Sequence, residues 1–208
     1  MDNLLELLLP NTGDPNLQLP DPLLRQFYFD LDNRIFWIDS EIADSTLDVI
    51  HHIMQWNRED KDLPVEERKP IKIMVNSLGG SLEVAKVLIE IFKISKTPIY
   101  SYAFGCVASA ASMIYLAAHK RFALPSVTFI VHRGSCENIG GDYNQINQFM
   151  EDYKKQIAEL EVFYKEKTTF APEIIEDKMN KGDWYIKVEE AMENGMVDQI
   201  IADIDELL

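Results

Sequence analysis

Cysteine is scarce in this 208-residue chain, occurring only at Cys106 and Cys136. Two thiols cannot build the disulfide framework of a small secreted domain, so a reducing cytoplasm is the expected compartment. Positive charge is also short: 20 Lys and Arg stand against 35 Asp and Glu, a formal charge of −15. Nucleic acid and anionic membrane surfaces call for cationic protein, which argues against both as partners. No apolar run reaches membrane-spanning length. The opening Met1-Asp-Asn-Leu-Leu-Glu-Leu-Leu-Leu-Pro10 carries acids where a secretory signal carries a cationic stretch. No cluster of His, Cys, Asp and Glu has metal-ligand spacing, and no internal repeat stands out.

What is present is ample core material, 47% hydrophobic and 10% aromatic, enough for a single domain. Residues 1 to about 24 are rich in Leu, Pro, Asn and Asp without periodicity and read either as an extended arm or as a packed segment. Phe27-Tyr-Phe29 and Arg34-Ile-Phe-Trp-Ile38 read as two short strands around an Asp32-Asn33 turn. Asp44 or Ser45 can cap a helix carrying Leu47, Ile50 and Ile53 at helical spacing. Strands at Ile71–Val75, Pro98–Phe104, Arg121–Leu124 and Val127–Val131 then alternate with helices at Leu82–Lys93 and about Ala108–Ala118. That alternation predicts an α/β fold with parallel strands and crossover helices.

From Asp142 to Lys167 a stripe of Ile146, Phe149, Met150, Tyr153, Ile157, Leu160 and Phe163 predicts one long amphipathic helix. A helix of that length must project from a domain this small or lie across it. Shorter helices at Glu173–Met179 and Lys187–Asn194, closed by Gly195, precede a final strand at Met196–Ile201.

The chemistry-bearing residues fall at the turns. Ser109, in the small-residue run Gly105-Cys-Val-Ala-Ser109-Ala-Ala-Ser112, opens a helix, where unpaired N–H groups and the dipole favour a developing oxyanion. A plain helix-capping serine is the competing reading, and Ser112 is the rival hydroxyl one turn on. Asn76-Ser-Leu-Gly-Gly-Ser81 places paired glycines between a buried strand and a helix, presenting backbone N–H donors to a ligand. It lacks the Lys-Ser/Thr ending of a phosphate loop. His132 ends an apolar strand, whereas His51 and His52 lie on an amphipathic helix and His119 sits in a cationic turn. Asp183, Asp142 and Glu137 are all candidates to orient His132, and spacing does not choose among them.

Together these segments resemble the proteolytic subunit of the Clp protease, in the ClpP/crotonase superfamily. Asn76-Ser-Leu-Gly-Gly-Ser81 is similar to that family's Asn-Ser-Pro-Gly-Gly-Ser turn, and Gly105-Cys-Val-Ala-Ser109 to its Gly-x-Ala-Ala-Ser nucleophile turn. Arg121-Phe-Ala-Leu-Pro125 followed by Ile130-Val-His132 resembles its Arg-Tyr/Phe-x-Leu-Pro…Ile-His segment. Glu190-Ala-Met-Glu-Asn-Gly-Met-Val-Asp198 resembles its closing Glu-Ala-x-x-x-Gly-Leu-Val-Asp.

The resemblance implies a repeated β-β-α spiral core, residues 25–208, with a projecting handle at about 133–168 and an N-terminal arm over 1–24. It implies a Ser109/His132/Asp183 triad, an oxyanion hole from the N–H groups of Gly80 and Ala110, and no cofactor or metal. It further implies an ATP-independent peptidase core cleaving unfolded protein or peptides inside heptameric rings. Those rings could pair as a tetradecamer through the handle and work with an AAA+ unfoldase. Departures are Ser109-Ala-Ala for Ser-Met-Gly, Arg133-Gly134 for Gln-Pro, Leu78 for proline and a shorter helix-to-strand link. They suggest a divergent, phage-like branch. Other readings are an inactive scaffold subunit, a phage-type head maturation protease and an acyl-CoA enzyme of the crotonase branch. A Ser-Lys signal-peptide peptidase is also weighed and would need a membrane anchor.

Overall fold

The computed structural model describes residues 22–136 and 139–207. Residues 1–21 of the expected arm lie outside them, and so does Glu137. Helix α1 spans Pro22–Asp32, so the strand expected at Phe27–Phe29 is helical. Its aromatics suggest a strand by propensity, but Leu23, Leu24, Phe27, Tyr28 and Leu31 recur at helical steps, and that period prevails. Arg34 turns the chain with a positive φ of 58° into strand β1, Ile35–Ile38.

A 3-10 turn at Asp44–Leu47 leads into α2, Asp48–Glu59, which buries Val49, Ile53 and Trp56. The unbroken repeat of β2 (Ile71–Ser77), α3 (Leu82–Ile94), β3 (Ile99–Ala108) and α4 (Ala110–Ala117) forms the centre. There follow β4 (Lys120–Ala123), β5 (Thr128–Val131), α5 (Tyr143–Lys167), α6 (Pro172–Asn180) and β6 (Trp184–Lys187). Helix α7 (Val188–Glu193), the two-residue β7 (Gln199–Ile200) and a 3-10 turn at Ile204–Glu206 follow, β7 being shorter than the strand expected over 196–201.

Strands β1-β2-β3-β4-β7 lie side by side in parallel. The ten-residue β3 serves two partners in turn. Its Tyr100–Ala103 half pairs with β4 and its Cys106–Ala108 end pairs with β5. Strand β5 then takes β6 as an antiparallel neighbour, a strand that falls between the two helices expected at Glu173–Met179 and Lys187–Asn194. All eight residues of α4 are buried, as the apolar run Ala110–Ala117 requires, packed with Leu88, Phe92, Phe129 and Ile186. Fully burying a side chain such as Phe129 contributes about 1.5–3 kcal/mol. A second, smaller cluster of Met74, Tyr102, Phe122 and Ile201 is packed by Leu207.

Helix α5 runs for 25 residues, about 37 Å at 1.5 Å per residue. Only Leu160 and Tyr164, near its C-terminal end, are fully buried. Ile146, Phe149 and Met150 are exposed, so the N-terminal half projects, as its length demands. Among the described residues no helix is long and apolar enough to cross a membrane.

Candidate active site

Ser109 lies where β3 passes into α4. Its backbone is at φ 52° and ψ −127°, a region side-chain-bearing residues rarely enter. The conformation is held from both sides: its N–H donates to the Ile130 carbonyl at 2.8 Å, and its own carbonyl accepts the Ser112 N–H at 3.0 Å. Its side chain makes no capping hydrogen bond, which sets aside the plain capping reading. Ser109 directly precedes the first N–H groups of α4, which have no partner within the helix.

The Gly79-Gly80 turn reaches this point from β2. Gly79 has φ +101°, and a Cβ built on it would meet the Ser109 Cβ at 2.7 Å and the Ala108 carbonyl at 2.9 Å. Gly80 bridges to Ile42, whose carbonyl a Cβ would meet at 2.3 Å. Neighbouring amides are committed, the Gly79 N–H to Ser77 Oγ and the Ser81 N–H to the Ile42 carbonyl. Ser81 caps α3 by accepting the Val84 N–H at 3.2 Å. Gly80 and Ala110, the first residue of α4, border the same cleft as Ser109 and His132.

His132 follows the last residue of β5. The β5–β6 register pairs Thr128 with Lys187 and Val131 with Trp184, so the next opposed position is His132 against Asp183. Their side chains meet there, Nδ1 lying 3.4 Å from Asp183 Oδ1. Nε2 is buried without a hydrogen-bond partner among the described residues, and it is not bonded to Ser109 Oγ here. The cleft, about 490 Å³, has Met113, Phe149, Ile157 and Leu160 among its apolar lining residues, Phe149 at its exposed rim.

The rivals sort themselves by what they touch. Ser112 is fully buried, its hydroxyl donating to the Ser109 carbonyl at 2.7 Å and lying 2.6 Å from Tyr164 OH. Asp142 caps α5, accepting the N–H groups of Asn144 and Gln145 at 2.8 and 3.0 Å. His52 packs at a tilt against the rings of Phe36 and Trp56, and its pKa is lowered, first by burial and then by His51 beside it. His119 Nδ1 accepts the Ile99 N–H at 3.1 Å, and burial lowers its pKa.

Sequence reasoning missed β6, the element that sets Asp183 against His132. The signal was Trp184-Tyr-Ile-Lys187, a short alternating segment after Gly182, with Trp184 and Ile186 buried and Tyr185 and Lys187 exposed. It also gave Arg133 no role. Arg133 binds Glu161 on α5 and Asn180 on α6, tying the segment after His132 to both helices.

Residues 25–203 match the Clp protease family. The "ATP-dependent Clp protease proteolytic subunit" of Paracoccus denitrificans is 27% identical over 147 residues, 70% of this chain and 73% of that protein. The "ATP-dependent Clp protease proteolytic subunit 2" of Pseudomonas aeruginosa is 31% identical over 134 residues, 64% of this chain and 66% of that one. The aligned segments thus span about two thirds to three quarters of these relatives. A ClpP1 point mutant from Listeria monocytogenes superposes with a TM-score of 0.73 at 27% identity, covering 89% of this chain and 99% of that one.

Proposed function

The chain belongs to the Clp protease family, and from that premise we propose that it is a serine endopeptidase acting through Ser109, His132 and Asp183. The observation that carries this reading is the His132–Asp183 pair, 3.4 Å apart, with Nε2 left unpartnered in the cleft that Ser109 lines. His132 Nε2 accepts the Ser109 proton as Oγ attacks the peptide carbonyl carbon. The oxyanion is held by the N–H groups of Gly80 and Ala110. His132 then gives its proton to the leaving amine, releasing the first product. Water, deprotonated by the same nitrogen, hydrolyses the acyl-enzyme and regenerates Ser109. Asp183 accepts the Nδ1–H throughout and stabilises the imidazolium. Catalytic hydrogen bonds are commonly longer before substrate arrives, so the Ser109–His132 bond forms in the complex.

The peptidase domain comprises residues 25–208, with a handle over about 133–168; helix α1 starts at Pro22, so residues 22–24 of the expected arm belong to that helix. The chemistry needs no ATP and no cofactor. The relatives are named as proteolytic subunits of an ATP-dependent protease, which supports a subunit working with an ATP-driven partner; in this reading that partner is an AAA+ unfoldase feeding unfolded protein into a cytoplasmic ring of this chain. The test is Ser109→Ala: cleavage of a fluorogenic peptide disappears while the sedimentation profile stays that of the wild type. Cleavage at the wild-type rate in that variant contradicts the reading.

A further inference from the structure

Ser112 and Tyr164 lie one behind the other beneath the nucleophile turn. Both are buried, Ser112 at 0% and Tyr164 at 3% exposure. Ser112 Oγ is 2.7 Å from the Ser109 carbonyl oxygen and 2.6 Å from Tyr164 OH. A hydroxyl has one proton, and the carbonyl can only accept. Ser112 therefore donates to Ser109, and Tyr164 donates to Ser112. Burial pushes the Tyr164 pKa up, so the phenol keeps that proton.

The Ser109 carbonyl and the Ala110 N–H belong to one planar peptide unit. Fixing the carbonyl fixes the direction of that N–H, one of the two donors proposed for the oxyanion. It also braces the strained Ser109 backbone, which no side-chain cap supports. Tyr164 brings this support from the last turn of α5, the helix that projects from the domain.

We propose that Ser112 and Tyr164 are positioning residues, a two-hydroxyl relay that orients the Ser109–Ala110 peptide for transition-state stabilisation. This rests on the peptidase reading of the same site. Neither hydroxyl reaches substrate. Their loss acts on kcat, because the oriented N–H matters most when the oxyanion forms.

The experiment compares Ser112→Ala, Tyr164→Phe and the double variant in the full chain. It records kcat and KM on a fluorogenic peptide, the rate of fluorophosphonate labelling at Ser109, and the melting temperature. Ser112→Ala lowers kcat and labelling rate by about 10- to 100-fold with KM little changed. Tyr164→Phe has a smaller effect in the same direction, and adds nothing in the double variant because the two act in series. Wild-type kcat in folded Ser112→Ala, or full additivity in the double variant, overturns the relay while leaving the peptidase reading intact. If Ser112→Ala does not fold, Tyr164→Phe decides alone, and an unchanged kcat there overturns the relay. Wild-type protein that is not labelled at Ser109 overturns both readings together.

Discussion

His132 and Asp183 face each other one step beyond the last pair of an antiparallel ladder, the ladder that joins β5 to β6 through Val131 and Trp184. Their 3.4 Å contact is therefore set by backbone register, with strand pairing aiming both side chains at the same point. Asp183 is 53% exposed at its side chain, so its role in holding the fold is small and its role in orienting His132 can be tested separately.

Asp183→Asn keeps the side chain's shape but replaces an acceptor oxygen with a donor amide, which favours the wrong imidazole tautomer. The expected result is a loss on the order of 10³-fold in kcat with the melting temperature unchanged. Peptide hydrolysis and thermal unfolding check the two halves, and a rate within two-fold of wild type on folded protein would contradict the assignment.

Gly79→Ala tests the close approach of the two turns. Its Cβ would stand 2.7 Å from the Ser109 Cβ, on a backbone at φ +101°. Strain of that kind is worth about 1–3 kcal/mol, so denaturant unfolding should shift by that amount and the nucleophile should be displaced. Unfolding and labelling both at wild-type values would show the approach to be looser than described.

Asp60 gives a pH prediction away from the site. Arg34 donates to both its oxygens, at 2.6 and 2.8 Å, and Thr97 Oγ1 donates at 3.0 Å. The Arg34 hydrogen bonds lower its pKa most, against the opposing push of burial, with Thr97 adding to the lowering. A carboxylate whose folded pKa is depressed stabilises the fold above its unfolded value near 4 and stops doing so as the pH falls through the folded value. Asp60→Asn should therefore destabilise by about 1–3 kcal/mol at neutral pH, since it removes the nearer carboxylate from Arg34 and leaves it Glu59 at 3.7 Å. The deficit should shrink as the pH drops below about 4. Chemical unfolding at neutral and acid pH checks this, and an equal deficit at both would contradict it.

Helix α5 presents Ile146, Phe149 and Met150 to solvent at 38–41% exposure. A second copy of this helix is the expected cover, so Ile146→Asp with Phe149→Asp should lower the sedimenting mass without unfolding the protein. A wild-type monomer at micromolar concentration would rule this out.

Much of this was legible because strand–helix alternation and turn glycines are local signals. The order β2-α3-β3-α4 follows the apolar pattern, though β3 runs through Gly105–Ala108, beyond the Phe104 end expected for it, and Ser109, His132 and the Gly79-Gly80 turn meet at one cleft. That Asp183 is the acid beside His132 was not fixed by spacing, because its place depends on a four-residue strand whose antiparallel partner lies far along the chain. Helix α1 was misread because its aromatics carry strand propensity, while its period is helical. The commitment of Ser112 to the Ser109 carbonyl and of Asp142 to a helix cap appears only once side-chain partners are seen.

The central claim is that Ser109, oriented by its turn and served by His132, is the nucleophile. Treating the assembled wild-type protein with a fluorophosphonate and mapping the adduct by peptide mass spectrometry tests it most directly. A single adduct on Ser109, abolished by prior denaturation and strongly slowed by His132→Ala, is the predicted result. An adduct on Ser112, or none on any serine of the folded protein, would contradict the account.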